Sequence, residues 1–361
     1  MEKKTPLYDC HIREEGKMVP FAGYMLPVQY KTGVIAEHMA VREAVGIFDV
    51  SHMGEIIIRG KDAFDNIQML VTNDCSRMVD GQVKYSPMCN EEGGVIDDLL
   101  IYRINVEEYL IVVNAVNRQK DAEWMKGNLF GDVSLSDVSD DMALIAIQGP
   151  LSEDVLKKIS NEEDLPRKYY TFVGYMDISG IDCMVSKTGY TGEDGYEIFC
   201  DNKDAVRLWN KLLEAGSEYG IMACGLGCRD TLRLEAGMPL YGHEMDDTIS
   251  PLEAGLGFAV KINKEDFIGK RGLMGRGAPS ITRIGLKITG RGIARENCPV
   301  YFGDKEIGRT TSGTHSPYLG YPIAMALVEK EYSSIASSLL VDVRGRKIEA
   351  EIVSLPFYKK A

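Results

Sequence analysis

The sequence lacks the features of several large classes of protein. No apolar run approaches the roughly 18 residues of a membrane-spanning helix, and the polar start MEKKTPLYDC does not resemble a signal peptide. The formal net charge is −13 over 361 residues, which argues against nucleic acid as the main partner because DNA and RNA are polyanions. From these absences we expect a cytoplasmic protein without a membrane or nucleic-acid partner.

Metal-binding and nucleotide-binding patterns are also missing. The eight cysteines are scattered, and although Cys224 and Cys228 can share one helical face, no Cys/His cluster at zinc spacing accompanies them. The five histidines fall singly, none of them in an H-E-x-x-H pattern, and no G-x-G-x-x-G follows an N-terminal strand. We therefore expect reduced thiols, no metal and no nucleotide cofactor.

Apolar periodicity predicts an α+β body followed by an all-β segment. The composition, 45% hydrophobic and 26% charged, is typical of a globular protein. Helical spacing is found at 34–45, 62–71, 117–129, 151–159, 203–220 and 225–237. Strand patterns are found at 54–60, 82–88, 95–103, 109–116 and 143–149, and the short turns between the middle three favour an antiparallel meander. From about residue 281 only short strands and turns follow.

Residues 93–102, Gly-Gly-Val-Ile-Asp-Asp-Leu-Leu-Ile-Tyr, place two carboxylates in an apolar strand. Because neighbouring strand side chains point to opposite faces, Asp97 and Asp98 diverge, and Asp98 shares its face with Leu100 and Tyr102. A carboxylate there is costly unless it has a partner or a ligand. From the residues alone two interpretations stay open: a ligand site, or one exposed aspartate and one that caps the turn.

Further motifs lie in order from about residue 4 to the C-terminus. They are KTPLYDCH (4–11), GKMVPFAGYMLPVQY (16–30), GIFDVSHMGE (46–55), YSPMCNEEGGVIDDLLIYR (85–103), IQGP (147–150), KTGYTGEDGYEIF (187–199), CRDTLRLEAGMPLYGHEMD (228–246), SPLEAGLGFAVKINKEDFIGK (250–270), TSGTHSPYLGYPIAMALV (311–328) and PFY (356–358). Together they resemble the T-protein family of the glycine cleavage system, the tetrahydrofolate-dependent aminomethyltransferases. One short motif such as TGYTGE is weakly specific for the family, whereas ten motifs in the same order are strongly specific for it.

The resemblance implies a three-domain, cloverleaf-like α+β fold with folate in a central channel. One α+β domain would be discontinuous, over 1–50 and 140–275. A second α+β domain, over 51–139, would carry the Gly-Gly-Val-Ile-Asp-Asp motif on an antiparallel sheet. Residues 276–361 would form an all-β domain resembling a barrel or a jelly roll.

The resemblance also implies a reaction and two partners. An aminomethyl group would arrive on the lipoyl arm of the H-protein, its methylene would pass to nitrogen 5 of tetrahydrofolate, and ammonia would leave. Tetrahydrofolate would be the acceptor, with no metal and no nucleotide.

Seven residues match family positions at the folate. They are Tyr85, Asp98, Tyr102, Asn114, Tyr190, Glu197 and Arg229. The residue types suit a pterin, whose flat ring and donor–acceptor edge favour aromatic faces with a fixed carboxylate and amide. Glu197 can accept two hydrogen bonds from an amino-pyrimidinone edge, and Arg229 can pair with an anionic or carbonyl oxygen. Asp98 would be the pterin-side carboxylate and the catalytic residue.

Structural alternatives stay open for several of these positions. Tyr85 and Tyr190 also suit core aromatics with a tethered hydroxyl, and Arg229 also suits a pair with Asp230 or Glu235 on its own helix. The chain departs from common family residues at Tyr24, Cys228, His315, Tyr318 and Tyr321. The last three departures concern the donor channel or the carrier surface more than the folate site.

Two other functions therefore remain as alternatives. One is a tetrahydrofolate-dependent demethylase of a small methylated compound, which would keep the folate residues and change the donor channel. The other is a non-enzymatic folate-binding member of the fold, such as the iron–sulfur assembly factors. Their Lys-Gly-Cys-aromatic-x-Gly-Gln-Glu signature is absent, and FAVKINKEDFIGK (258–270) stands in its place.

Overall fold

The computed structural model describes residues 2–360, which form two compact units. The first unit contains the residues up to Ile67 together with Cys75–Tyr85 and Leu99–Arg229. The second unit contains Gln68–Asp74, Ser86–Asp98 and the residues from Asp230 onward. The three-domain division stays a prediction.

The described residues form short and medium strands throughout the chain. In chain order they are β1 Lys3–Lys4, β2 Met18–Phe21, β3 Tyr24–Pro27, β4 Gly46–Asp49, β5 Gly54–Arg59, β6 Val83–Cys89, β7 Val95–Asn105, β8 Glu108–Val113, β9 Ser134–Asp137, β10 Met142–Gln148, β11 Phe172–Asp177, β12 Asp182–Ser186, β13 Gly195–Asp201, β14 Met222–Ala223, β15 Ile281–Ile288, β16 Pro299–Phe302, β17 Lys305–His315, β18 Pro322–Glu329, β19 Ser338–Val343 and β20 Arg346–Val353. All five strands predicted before residue 150 are present, with ends that differ by one or a few residues.

The α-helices include every one that the apolar spacing predicts. They are α1 Tyr8–Arg13, α2 Val34–Glu43, α3 Ala63–Leu70, α4 Arg118–Gly127, α5 Ser152–Lys157, α6 Ala205–Gly216, α7 Leu226–Glu235 and α8 Lys270–Arg276. Two short helices, α1 with six residues and α8 with seven, were not predicted from the sequence. Among residues 2–360, no helix is long and apolar enough to cross a membrane.

A six-stranded sheet in the order β11-β12-β13-β10-β4-β14 organises the core of the first unit. The residues of β13 show how the two faces of this sheet differ. Tyr196, Ile198 and Cys200 belong to a buried cluster that also contains Leu208 and Trp209 of α6. Because strand side chains alternate, Glu197 and Phe199 point to the face opposite this helix-covered core.

A five-stranded sheet in the order β6-β7-β8-β5-β9 contains the predicted meander. Strands β6, β7 and β8 are sequential neighbours, and β7 and β8 are antiparallel. Strand β7 passes from the second unit into the first, since Val95–Asp98 belong to the second unit and the residues from Leu99 belong to the first. The order of the three strands and the antiparallel pairing of β7 with β8 agree with the predicted meander.

A closed barrel in the order β15-β18-β17-β16-β19-β20 forms the all-β segment of the second unit. Inward-facing residues on alternate positions, such as Ala324, Ala326 and Val328 of β18, fill its core. The expected α+β class with a C-terminal all-β domain is confirmed, and that domain is a barrel rather than a jelly roll.

Candidate functional site

The meander sheet presents one face whose side chains are set by strand register. Leu100 of β7 lies opposite Val112 of β8, and Val112 lies opposite Glu55 of β5. Directly opposed residues point to the same side of a sheet, so these three side chains form a row. Tyr102 lies two residues beyond Leu100, on the same face.

Tyr102 is a fixed aromatic wall on this face. Its side chain is buried and packs edge-on against Phe172 and Phe199, with ring centroids 5.4 and 5.6 Å away. Burial raises the pKa of the Tyr102 phenol, and the nearby hydroxyl groups of Thr188 and Ser186 oppose the increase. Phe199 connects this wall to the outer face of β13.

Glu197 lies on that face of β13 and is held by hydroxyl groups. Its Oε2 accepts a hydrogen bond from the Thr188 hydroxyl over 2.5 Å, and the Thr188 oxygen lies 2.9 Å from Ser186 Oγ. The residue is 8% exposed. Burial raises the pKa of Glu197, while the Thr188 hydrogen bond and the charge of Arg229 oppose the increase. The result is a carboxylate in a fixed orientation with a cation nearby.

Arg229 and Tyr190 form the cationic part of the same group. The guanidinium carbon of Arg229 lies 4.8 Å from the centroid of the Tyr190 ring, within the range of a cation–π contact. Both side chains are half-buried. Burial lowers the pKa of Arg229, and the negative charge of Glu197 acts in the opposite direction. A flat anionic or carbonyl-rich molecule matches this arrangement of ring, cation and carboxylate.

The two carboxylates on α7 that could pair with Arg229 have other partners. Asp230 accepts a hydrogen bond from Arg233 Nε over 2.9 Å, and Glu235 accepts one from the Ser316 hydroxyl. Arg233 also contacts Glu244 over 3.1 Å. Arg233, not Arg229, is thus the arginine that pairs along this helix.

The three remaining predicted site residues are partly accessible. The contacts described above do not connect them to Tyr190, Glu197 or Arg229. Tyr85 on β6 and Asn114, directly after β8, are half-buried. Asp98 is half-buried on β7 within the second unit, whereas its neighbour Asp97 is fully buried. The structure therefore brings Tyr102, Tyr190, Glu197 and Arg229 together, and the association of the other three residues with them stays a prediction.

Sequence reasoning missed His52, Glu55 and Thr188. Burial, and then the positive charge of Arg229, lower the pKa of His52 to about 4. Burial raises the pKa of Glu55 well above its ordinary value, although Arg118 opposes the increase, and neither Glu55 carboxyl oxygen has a hydrogen-bond partner in the part of the chain described. The sequence signal was their presence within quoted motifs, GIFDVSHMGE for His52 and Glu55 and KTGYTGEDGYEIF for Thr188.

Glu55→Gln is expected to stabilise the protein increasingly as the pH rises. Folded Glu55 keeps its proton at pH values where the unfolded chain, with a pKa near 4.5, has lost it. The contribution of Glu55 to the free energy of unfolding of the parent therefore falls as the pH rises above that value. The melting temperature of Glu55→Gln minus that of the parent should increase between pH 5 and pH 8. Each kcal/mol of difference in the free energy of unfolding corresponds to about 2–4 °C.

The control for this prediction is Glu107→Gln, at an exposed position between β7 and β8. Its melting temperature relative to the parent should be the same at the two pH values. A Glu55→Gln difference that is equally independent of pH would contradict the prediction.

The three C-terminal departures from common family residues lie in the second unit. Tyr321 packs against a small cluster formed by Leu234, Ile323 and Met325. Tyr318 contacts the ring of Tyr358 edge-on, with the centroids 5.0 Å apart. Both tyrosines therefore have packing partners within their own unit.

Metal ligation is not indicated by the described geometry. Across residues 2–360, no three His, Cys, Asp or Glu residues are grouped so that they could hold a metal ion. None of the eight cysteines forms a disulfide, and all but Cys298 are buried.

Comparisons with known proteins cover nearly the whole chain. The family model of the GCVT N-terminal domain matches residues 7–264, and that of the glycine cleavage T-protein C-terminal barrel domain matches residues 282–359. A curated aminomethyltransferase of Geobacillus sp. (strain WCH70) is 47% identical over 100% of both chains. Another, of Caldanaerobacter subterraneus subsp. tengcongensis, is 48% identical over 99% of this chain and 96% of its own.

A solved structure shares the fold along its full length. It is the crystal structure of glycine cleavage system aminomethyltransferase T from Bartonella henselae, with a TM-score of 0.92 and 31% identity. The match covers 99% of each chain.

Proposed function

The chain belongs to the glycine cleavage T-protein family and is an aminomethyltransferase, and on this basis we propose its substrates and the residues that bind them. The donor is the aminomethyl group on the lipoyl arm of an H-protein. The methylene passes to nitrogen 5 of tetrahydrofolate, ammonia leaves, and the dihydrolipoyl arm remains on its carrier. The reaction is a group transfer in which no metal or nucleotide takes part.

The group formed by Glu197, Arg229 and Tyr190 is the observation that carries the folate proposal. A buried carboxylate that is fixed by Thr188 suits the amino-pyrimidinone edge of a pterin, which presents adjacent N–H donors. Arg229, held over Tyr190, suits a carbonyl or carboxylate oxygen of the same ligand. Because these side chains are already oriented by their protein neighbours, little ordering free energy opposes binding.

The other site residues complete the proposal. Tyr102 provides an aromatic wall, and Tyr85 and Asn114 provide a further ring and an amide at half-buried positions. Asp98 is the catalytic carboxylate, which orients the folate and stabilises positive charge that develops near nitrogen 5. Catalysis then depends mainly on positioning and electrostatics.

We also propose a cytoplasmic location, which the lack of disulfides among the eight cysteines supports. The three domains are proposed at 1–50 with 140–275, 51–139 and 276–361.

Tetrahydrofolate is expected to bind once per chain and to raise the melting temperature. A ligand present at about 100 times its dissociation constant stabilises the folded state by about 2.7 kcal/mol. Calorimetry and thermal unfolding at increasing tetrahydrofolate concentration measure this directly. The folate proposal fails if a saturating concentration gives neither heat nor a shift.

The donor is tested by turnover. Incubation with tetrahydrofolate and aminomethylated H-protein should release ammonia and methylenetetrahydrofolate in equal amounts, with saturation in the carrier. Small amines and sulfonium compounds should be poor donors. Rapid methyl transfer from such a compound, without response to the carrier, would identify a demethylase, and folate binding without any transfer would identify a non-enzymatic folate protein.

A further inference from the structure

His52 lies in a turn that is anchored from several sides. It follows β4, whose last residue, Asp49, accepts hydrogen bonds from the Thr5 hydroxyl over 2.6 Å and from the Ser51 backbone N–H over 3.0 Å. Asp49 Oδ2 also lies 2.9 Å from Nε2 of the buried His11 ring. The end of β4, three residues before His52, is therefore fixed by buried hydrogen bonds.

The His52 ring is buried among aromatic side chains, and one of its nitrogens lacks a hydrogen-bond partner. The residue is 3% exposed, and Phe21 and Tyr24 approach its ring edge-on, with centroids 5.7 and 6.4 Å away. Its Nδ1 is buried and has no hydrogen-bond partner among residues 2–360. Buried polar atoms of native proteins nearly always have partners, so this nitrogen calls for an explanation.

The charge of Arg229 connects His52 to the candidate site. This charge acts on both His52 and Glu197. Asp49 is the opposing charge near the imidazole, but burial and Arg229 prevail, so the ring is neutral at pH 7. A neutral imidazole has one nitrogen with a free lone pair, which is a hydrogen-bond acceptor.

We propose that His52 binds the amino group of the one-carbon donor, with Nδ1 accepting a hydrogen bond from that amine. This inference rests on the proposed function, because an aminomethyl donor must present N–H groups within the site. The Arg229 guanidinium cannot accept a hydrogen bond, and one oxygen of Glu197 is already bonded to Thr188. Phe21, which packs edge-on against the imidazole, is itself 42% exposed, so this side of the ring lies near the protein surface.

The test compares three substitutions at this position. Asn places an amide group near the position of Nδ1, Gln places one near the position of Nε2, and Leu has neither. His52→Leu should lower kcat/KM for aminomethylated H-protein about tenfold, as expected for loss of one substrate hydrogen bond. His52→Asn should keep more activity than His52→Gln, and the dissociation constant of tetrahydrofolate should stay within about threefold in all three variants.

His38→Asn is the matched control, since His38 is a fully buried histidine on α2. It should affect the melting temperature without a selective loss of donor kcat/KM. Titration of the parent protein, labelled with ¹⁵N-histidine, should also shift the His52 Nδ1 resonance when aminomethylated H-protein is added. The shift is measured on the parent protein, so it does not depend on the activity or stability of a variant. A substituted protein, His52→Asn or His52→Gln, serves only to assign the His52 resonance.

The outcomes separate this inference from the proposed function. If the parent catalyses no transfer from aminomethylated H-protein, the proposed function fails. If the parent is active but His52→Leu has normal donor kinetics, or the Nδ1 resonance does not respond to the donor, only the role of His52 is overturned. A loss of tetrahydrofolate affinity as large as the loss of donor kcat/KM would likewise overturn it.

Discussion

Asp98→Asn is expected to lower turnover by a factor on the order of 10²–10³, while the dissociation constant of tetrahydrofolate changes less. The substitution keeps the size of the side chain and one hydrogen-bonding oxygen but removes the negative charge. In the proposed mechanism that charge stabilises positive charge that develops only as the methylene is transferred. An interaction that strengthens in the transition state affects kcat more than ground-state binding.

The neighbouring aspartate provides the control for this prediction. Asp97 is fully buried, whereas Asp98 is half-buried, as expected for side chains on opposite faces of one strand. Asp97→Asn should therefore lower the melting temperature but leave turnover per folded molecule close to that of the parent. Equal losses of turnover in both variants, or a loss at Asp98 that follows unfolding, would contradict a catalytic role for Asp98.

The different burial of these two residues illustrates what sequence predicts well. Strand alternation is a local property, so the division between Asp97 and Asp98 can be read from VIDDLLIYR alone. The long amphipathic helix α6 and the meander strands were predictable for the same reason. Each depends on a period of 2 or 3.6 residues that a segment of sufficient length displays.

The relations within the site depend on tertiary packing and were not predictable from periodicity. His52 is 177 positions before Arg229 in the chain, yet the charge of Arg229 lowers its pKa. Glu55 joins the row with Leu100 only through the register of β5 and β8. Likewise, the sequence left open a pair between Arg229 and Asp230, and the structure shows that Arg233 forms the pair with Asp230. Spacing alone does not distinguish two arginines on one helix.

Arg229→Ala is expected to weaken tetrahydrofolate binding by about 10- to 100-fold, the range for loss of a hydrogen bond that involves a charged group. Arg229→Lys is the matched variant, because it keeps the charge but loses the planar group that lies over Tyr190. Its affinity should fall between those of the parent and Arg229→Ala. Calorimetric titration with tetrahydrofolate, together with the melting temperature of each variant, measures both effects.

The pH dependence of this variant provides a second, independent readout. In the parent, Arg229 holds the pKa of Glu197 below the value that burial alone would give. Without the guanidinium that pKa rises, so the carboxylate is protonated over a wider pH range and loses part of its ability to accept hydrogen bonds from the ligand. The affinity of Arg229→Ala for tetrahydrofolate should therefore recover as the pH is raised from 6 to 8, more than that of the parent or of Arg229→Lys. If affinity is unchanged in Arg229→Ala, or if its loss simply follows a fall in melting temperature, Arg229 is a structural residue and the proposed folate site is wrong at this position.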